Sequence, residues 1–244
     1  MLQALKKLVK NRFLSQPDMP AIAAYNLWAN DYDDQPDNLM FHLDESVFIN
    51  LNRDLDLRGK NIADIGCGTG RHWPLLYRKR PAAITGYDVS AGMLQKLKLK
   101  FPNANTIRIT DRYEETIPSE TYDLVFSTLT IAHIENISRA LTEWCRVLKK
   151  GGDLIITDFH PSALAAGGKR TFTYRDKNIA IVNYVHPLSA IREIIENQGL
   201  VLVNHQERVI DKSVMDYYIK QNALHVYWKF ENMPMLYGLH FKKI

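Results

Sequence analysis

The sequence predicts an α/β fold: a doubly wound, mostly parallel sheet covered by helices. Three observations carry that expectation. Short apolar runs alternate with amphipathic segments through the middle of the chain, the pattern of a parallel sheet covered on both faces. The first apolar run breaks into Gly66-Cys67-Gly68-Thr69-Gly70, a turn that ends a strand and starts a helix at once. Ser90 before one periodic segment, and Gly151-Gly152 after Lys149-Lys150 at the end of another, suit helix caps between strands.

The elements follow in order. "KNIADIG" reads as the first strand and "GRHWPLLYRKR" as the helix after it. "AAITGYD" is the second strand, followed by the periodic helix "SAGMLQKLKLKF", with Ser90 as its N-cap. "NTIRITD" is the third strand, and "RYEETIPSET" is rich in turn formers. "YDLVFSTLT" is the fourth, and "ISRALTEWCRVLKK" is a helix stopped by Gly151-Gly152 before the strand "DLIITDF". In "DFHPSALAAGGKRTFTYRDKNIAIVNYVHPLS", Gly167-Gly168 precedes two alternating runs that read as a β-hairpin. "LVLVNHQERVI" and "MLYGLHFKKI" supply the final strand pair, interrupted by a helical, aromatic-rich segment at 211–234.

A chain of 244 residues is long enough for one domain with a sizeable core. The expected organisation is a single domain over 1–244. It has an N-terminal helical cap (1–50), a ligand-binding core (51–160), a hairpin lid (161–186) and a C-terminal helix with its strand pair (187–244). With 31 Lys and Arg against 27 Asp and Glu, the net charge of +4 is too small to argue for nucleic acid. No apolar run is long enough to cross a membrane, and the basic opening "MLQALKKLVKNRFL" lacks the features of a secretory signal and reads as a solvated helix, with surface membrane contact as its alternative. Cys67 and Cys145 form no disulfide framework, which suits a reducing, cytoplasmic setting. The histidines show no metal-ligand spacing, so no metal is expected.

Ligands of such sheets sit at the carboxyl ends of the strands. Glycines there let backbone N–H groups meet an anionic ligand group. The spacing G-C-G-T-G-R puts Arg71 where a dinucleotide fingerprint has its third glycine, which disfavours a nicotinamide or flavin. Asp88, about 20 residues on, suits the two hydroxyls of a ribose, with helix capping as its alternative role. Asp111 closes the third strand, where it or the Arg112 backbone can meet an adenine edge.

These residues resemble the class I S-adenosylmethionine-dependent methyltransferases, in their small-molecule branch, closely over residues 20 to 160. "ADIGCGTGRH" looks like the family's first motif, "GYDVSAGMLQKLK" its ribose-binding segment and "YDLVFSTLTIAHI" its fourth-strand motif. "LTEWCRVLKKGGDLIITDFHP" resembles the segment entering the fifth strand, and "YNLWANDYDD" the upstream cofactor-closing segment. The resemblance implies a Rossmann-like, doubly wound seven-stranded mostly parallel sheet with an antiparallel C-terminal edge strand, and S-adenosyl-L-methionine as cofactor. It puts Gly66, Gly68 and Gly70 under the methionine part, Asp88 on the ribose and Met93 near the adenine. Asp111 and Arg112 would face the adenine amino edge. The Ser127 carbonyl would meet the methionine ammonium, Tyr32 would cover the cofactor, and Asp64 would orient the glycine loop.

The reaction expected is in-line transfer of a methyl group to a small, partly apolar molecule. An inactive S-adenosylmethionine-binding subunit or regulator is the alternative. Transfer asks for alignment and sometimes for a base. His160 and His186 bracket the hairpin, each before a proline, and are the catalytic candidates, with structural capping of the hairpin as their alternative role. His133 lies nearer the cofactor by analogy, and local packing is its alternative. Tyr25, Trp28 and the 211–234 segment would wall an apolar substrate chamber. The expected partner is that small-molecule substrate, without nucleic acid or stable membrane insertion, in a monomer or homodimer.

Overall fold

A computed structural model describes residues 18–109 and 116–244. The expected helix over the opening basic segment, and the sites Asp111 and Arg112, lie outside these residues. Two helices come first, α1 (Ala21–Trp28) and α2 (Leu39–Asn52). Then β1 (Asn61–Ile65), α3 (Trp73–Tyr77), β2 (Ala83–Asp88), α4 (Ala91–Lys100), β3 (Asn105–Arg108), β4 (Tyr122–Thr128), α5 (Ile137–Val147) and β5 (Leu148–Phe159) alternate. The short α6 (Pro161–Ala165) leads to a hairpin of β6 (Thr171–Tyr174) and β7 (Lys177–Ala180), then α7 (Leu188–Glu196) and β8 (Leu200–Val209). Helices α8 (Met215–Lys220) and α9 (Leu224–Phe230) precede β9 (Pro234–Lys243).

The main sheet has seven strands in the order β3-β2-β1-β4-β5-β9-β8, a doubly wound α/β arrangement. β1 to β5 are mutually parallel, and β9 runs antiparallel to both β5 and β8. The antiparallel strand expected at the C-terminal edge is thus β9, seated one place inside that edge. The reason is the crossover through α7, which carries β8 to the outer position and leaves a gap that only a reversed strand from the same side can fill.

One apolar layer buries Val47, Phe48, Trp73, Leu76 and Leu97 from α2, α3 and α4 on one face of the sheet. The other buries Leu141, Trp144, Ile191 and Ile195 from α5 and α7. β1 and β4 are buried along almost their whole length because helices cover both faces. Helix α5 ends at Val147, earlier than the glycine pair suggested: Leu148 already pairs with Tyr122, and Gly151 at φ +68° lies in a register shift of β5.

A third cluster sits above the carboxyl ends of the strands. Trp28, Tyr32, Met93, Phe172, Ile179 and Ile181 bury one another there. The Phe172 ring stacks on Trp28 at 4.8 Å, and Met19 exchanges backbone hydrogen bonds with Ala180 and Val182. The hairpin is therefore fastened to α1 instead of hanging free.

Candidate functional site

The glycine loop leaves β1 with Gly66, Gly68 and Gly70 all at positive φ, between +52° and +74°. Gly66 lies so close to Thr130 that a Cβ would stand 2.1 Å from its Oγ1. At Gly68 the same Cβ would meet nothing within 4 Å, because the loop there floors a cavity. That cavity, about 580 Å³, opens beside the carboxyl ends of β1, β2 and β4. Gly66, Gly68, Asp88, Met93 and Tyr32 line it. Gly70 instead packs behind the loop, against Leu97 and Phe101.

The loop is held from several sides. The Gly68 N–H donates to Asp88 Oδ2 at 2.8 Å, and the Ser90 N–H donates to Asp88 Oδ1 at 2.7 Å. Burial raises the Asp88 carboxyl to about 6, against those backbone donors. Asp64 accepts from Trp73 Nε1 at 2.7 Å, fixing the start of α3 behind the loop, and burial pushes it up to about 8. Arg71 turns back to Asp44 on α2, which also accepts from His72 at 2.9 Å and from the Thr157 hydroxyl. Burial alone would raise the Asp44 carboxyl. Arg71 and the His72 and Thr157 hydrogen bonds outweigh it and hold the group well below the usual carboxylate range.

Residues 25 to 34 close over the cavity. Asn26 Oδ1 accepts from Ser90 Oγ at 2.8 Å and from Gly92 N at 3.0 Å, tying α1 to the start of α4. Asp33 accepts from Thr69 Oγ1 at 2.7 Å and from Lys100 Nζ at 2.8 Å. These ties hold Tyr32 against the cavity. Its buried ring packs at 4.9 Å on Trp28, which lines a second, larger cavity of about 1030 Å³ on the far side. Trp28 and Tyr32 thus form a partition between two chambers. The larger one also has Phe172 and Thr173 of the hairpin and Tyr217, Tyr218 and His225 of the C-terminal helices in its wall.

Several expected site residues fall elsewhere. Ser127 is buried behind the lining, its Oγ donating to Ile65 O at 2.7 Å; Thr128, Leu129 and Thr130 take the cavity face. The two histidine candidates for a base do not line either chamber. His160 caps α6, its Nδ1 accepting from Ser162 N at 3.2 Å, and its Nε2 faces Glu207 at 3.4 Å. His186 Nε2 lies 2.7 Å from Ile134 O. Proline after each histidine marks where a helix begins; His160 is used there as a cap, whereas His186 reaches across to Ile134.

His133 does line the smaller cavity, together with Tyr25. Its Nδ1 is 2.9 Å from Val182 O, so Nδ1 carries the proton and donates. Its Nε2 then accepts from the Tyr25 hydroxyl at 3.0 Å. Desolvation lowers the imidazole to about 4, so it is neutral near pH 7, and burial pushes the Tyr25 hydroxyl well above its ordinary value. The available signal for this pair was position: His133 follows β4 at the ligand end of the sheet.

Among the described residues no group of three His, Cys, Asp or Glu is arranged to hold a metal, and no helix is long and apolar enough to cross a membrane. An open floor at Gly68, a buried carboxylate at Asp88 and an apolar wall at Met93 fit a nucleoside with a charged tail.

Residues 63–156 match the family described as a methyltransferase domain. The chain is 35% identical over 105 residues to a malonyl-[acyl-carrier protein] O-methyltransferase of Methylococcus capsulatus, covering 42% of this chain and 38% of that protein. It is 36% identical over 104 residues to a ubiquinone/menaquinone biosynthesis C-methyltransferase of Campylobacter jejuni, covering 40% and 44%. The matched region thus spans about two fifths of each of these relatives. A solved S-adenosylmethionine-dependent methyltransferase from Mesorhizobium loti has the same fold, at TM-score 0.60 and 16% identity, over 78% of this chain and 93% of that one.

Proposed function

We propose that the protein, whose residues 63–156 carry a methyltransferase domain, moves a methyl group from S-adenosylmethionine to a small, partly apolar acceptor. The observation that carries this reading is the 580 Å³ cavity floored by Gly68 and walled by Asp88, Met93 and Tyr32 at the carboxyl ends of the strands. When bound, the cofactor supplies an already activated sulfonium methyl. The protein's part is to orient, to exclude water and to handle a proton.

Asp88 would accept from the ribose hydroxyls, and the Gly66–Gly68 backbone would pass beneath the methionine part. Tyr32 would cover the cofactor and keep bulk water out. The backbone of Thr128 and Leu129 would take the ammonium contact expected of Ser127. Tyr25 and His133 support a proton route in place of His160 and His186. An acceptor hydroxyl or amine donates toward the Tyr25 oxygen, while Tyr25 already donates to the neutral His133 Nε2. Both residues sit in the lining of the cofactor cavity.

Titration calorimetry with S-adenosylmethionine, S-adenosylhomocysteine and NADH tests the reading. The first two should bind and NADH should not. Labelled S-adenosylmethionine incubated with the protein and a metabolite extract should then label a small molecule. Preferential binding of NADH would sink the proposal.

A further inference from the structure

A buried cation stands without a counter-ion beneath the aromatic cap. Arg170, just before β6, is only 4% exposed. Its guanidinium lies 5.1 Å from the Trp28 ring, 5.1 Å from Phe41 and 6.0 Å from Tyr32. One terminal nitrogen donates to the Tyr32 hydroxyl at 3.2 Å, and the buried Nε has no partner. Among the described residues it makes no ion pair. The two buried carboxylates whose fields reach it are engaged elsewhere. Asp158 accepts from the backbone N–H groups of Ala132 and Phe159, and Asp44 serves Arg71 and His72.

A desolvated guanidinium with an idle Nε–H and no ion pair is costly unless something anionic meets it. Arg170 lines the larger chamber, and its Tyr32 partner lines the cofactor cavity, so it stands at the partition between them. We propose that Arg170, at the partition, binds a carboxylate on the methyl acceptor, a small amphipathic monoanion that spans the partition with its apolar remainder in the larger chamber and its reacting hydroxyl or amine on the Tyr25 side. This rests on the methyltransferase reading for the word acceptor, and not for the anion site itself.

The surroundings favour one negative charge over two. Lys169, the next cation on the wall, is held by Asp18 at 2.6 Å, and Lys229 leans over the Phe230 ring at 4.9 Å. Asp31 and Asp34 stand exposed at the rim, where water screens them but where a dianion would still be opposed. A planar guanidinium fork matches a carboxylate in two parallel hydrogen bonds. The half-buried side chains of Met40, Tyr217, Tyr218 and Val226 in the same wall give the apolar remainder a surface to lie on.

The test uses the whole protein saturated with S-adenosylhomocysteine and three probes: 4-phenylbutyrate, its neutral amide, and inorganic phosphate. In titration calorimetry the acid should bind at least about tenfold tighter than the amide, because a site built for a charged partner rejects the analogue lacking it. Arg170→Gln should abolish that preference and Arg170→Lys should keep part of it, both retaining affinity for S-adenosylhomocysteine. Equal binding of acid and amide, no binding of the acid at millimolar concentration, a preference that survives Arg170→Gln, or tighter binding of phosphate would each overturn the proposal. If Arg170→Gln fails to fold, the acid–amide comparison on the unaltered protein decides. Run without S-adenosylhomocysteine as well, an acid preference in a protein that binds neither S-adenosylmethionine nor its product would remove the methyltransferase reading alone. Cofactor binding without acid preference would remove the anion site alone.

Discussion

A single methyl group separates two glycines of the loop. At Gly66 it would collide with Thr130 at a backbone φ of +74°, so Gly66→Ala should cost more than about 2 kcal/mol, read as a lower melting temperature. At Gly68 it would enter the cavity with nothing to strike, leaving only backbone strain of about 1–2 kcal/mol. Gly68→Ala should therefore stay folded yet lose about tenfold or more in affinity for S-adenosylhomocysteine by calorimetry. Normal binding by that variant would take the loop out of the site.

Asp88 gives a pH signature. Ribose hydroxyls need the ionised carboxylate, and the ligand-free group sits near 6. Affinity should be level above that value and fall by up to about tenfold per pH unit below it. Asp88→Asn should bind weakly and lose the dependence, as calorimetry between pH 5 and 7.5 would record. Tyr25→Phe tests the proton route: turnover should fall by about 10² while cofactor affinity holds. Glycine spacing and a strand-ending acid made Asp88 and the loop legible, because both signals are local. Arg170 was not legible. It is one of 31 Lys and Arg residues, and its burial comes from Trp28, Tyr32 and Phe41, more than 120 positions away in the chain.

The β6–β7 hairpin is the element whose place the alternating pattern left open. The pattern announces two strands and a turn, but which chamber they cover depends on Phe172 stacking on Trp28 and on the Met19 ladder. Its stem is already closed, since Ile181 N–H donates to Arg170 O at 3.0 Å. Residues 171–180 can thus be replaced by a short glycine link without pulling the neighbours apart. Cofactor affinity should change by less than about threefold, because no hairpin residue lines the smaller cavity, whereas acceptor turnover should be lost. Turnover that survives, with an altered mass in light scattering, would make the hairpin a subunit contact instead.

Across the whole molecule, buried ionisable groups set how stability follows pH. Burial raises Asp64 to about 8 and Asp158 to about 7, far above an unfolded carboxyl near about 4. Between those values the folded protein holds protons that the unfolded chain has released, so these groups subtract stability as pH rises. His72 and His133, lowered by desolvation, act oppositely below about 6.5, where the unfolded chain takes up protons that they refuse. The two trends offset one another on the acid side. Above about 6.5 only the carboxyls remain, so the melting temperature should decline from there to pH 8. Asp64→Asn, which keeps an oxygen to accept from Trp73, should flatten that decline. A melting temperature rising through the same range would contradict the assignment. The parallel core was readable from its apolar runs; the seat of β9 was not, since strand order is a property of how helices cross the sheet.

That seat has a consequence for how the protein is made. β5 pairs on one side with β4 and on the other only with β9, and β8 has no neighbour in the sheet except β9. During synthesis the ribosome delivers β5 some 75 residues before β9, whose first residue is 234. Until then β5 presents an open, apolar strand edge, and β8 has nothing to join. The first five strands can form early, but they wait with a sticky flank that another nascent chain can template upon. Slow translation over residues 160–233, or loss of β9, should then raise the demand for chaperones, because the edge of β5 stays uncovered for longer.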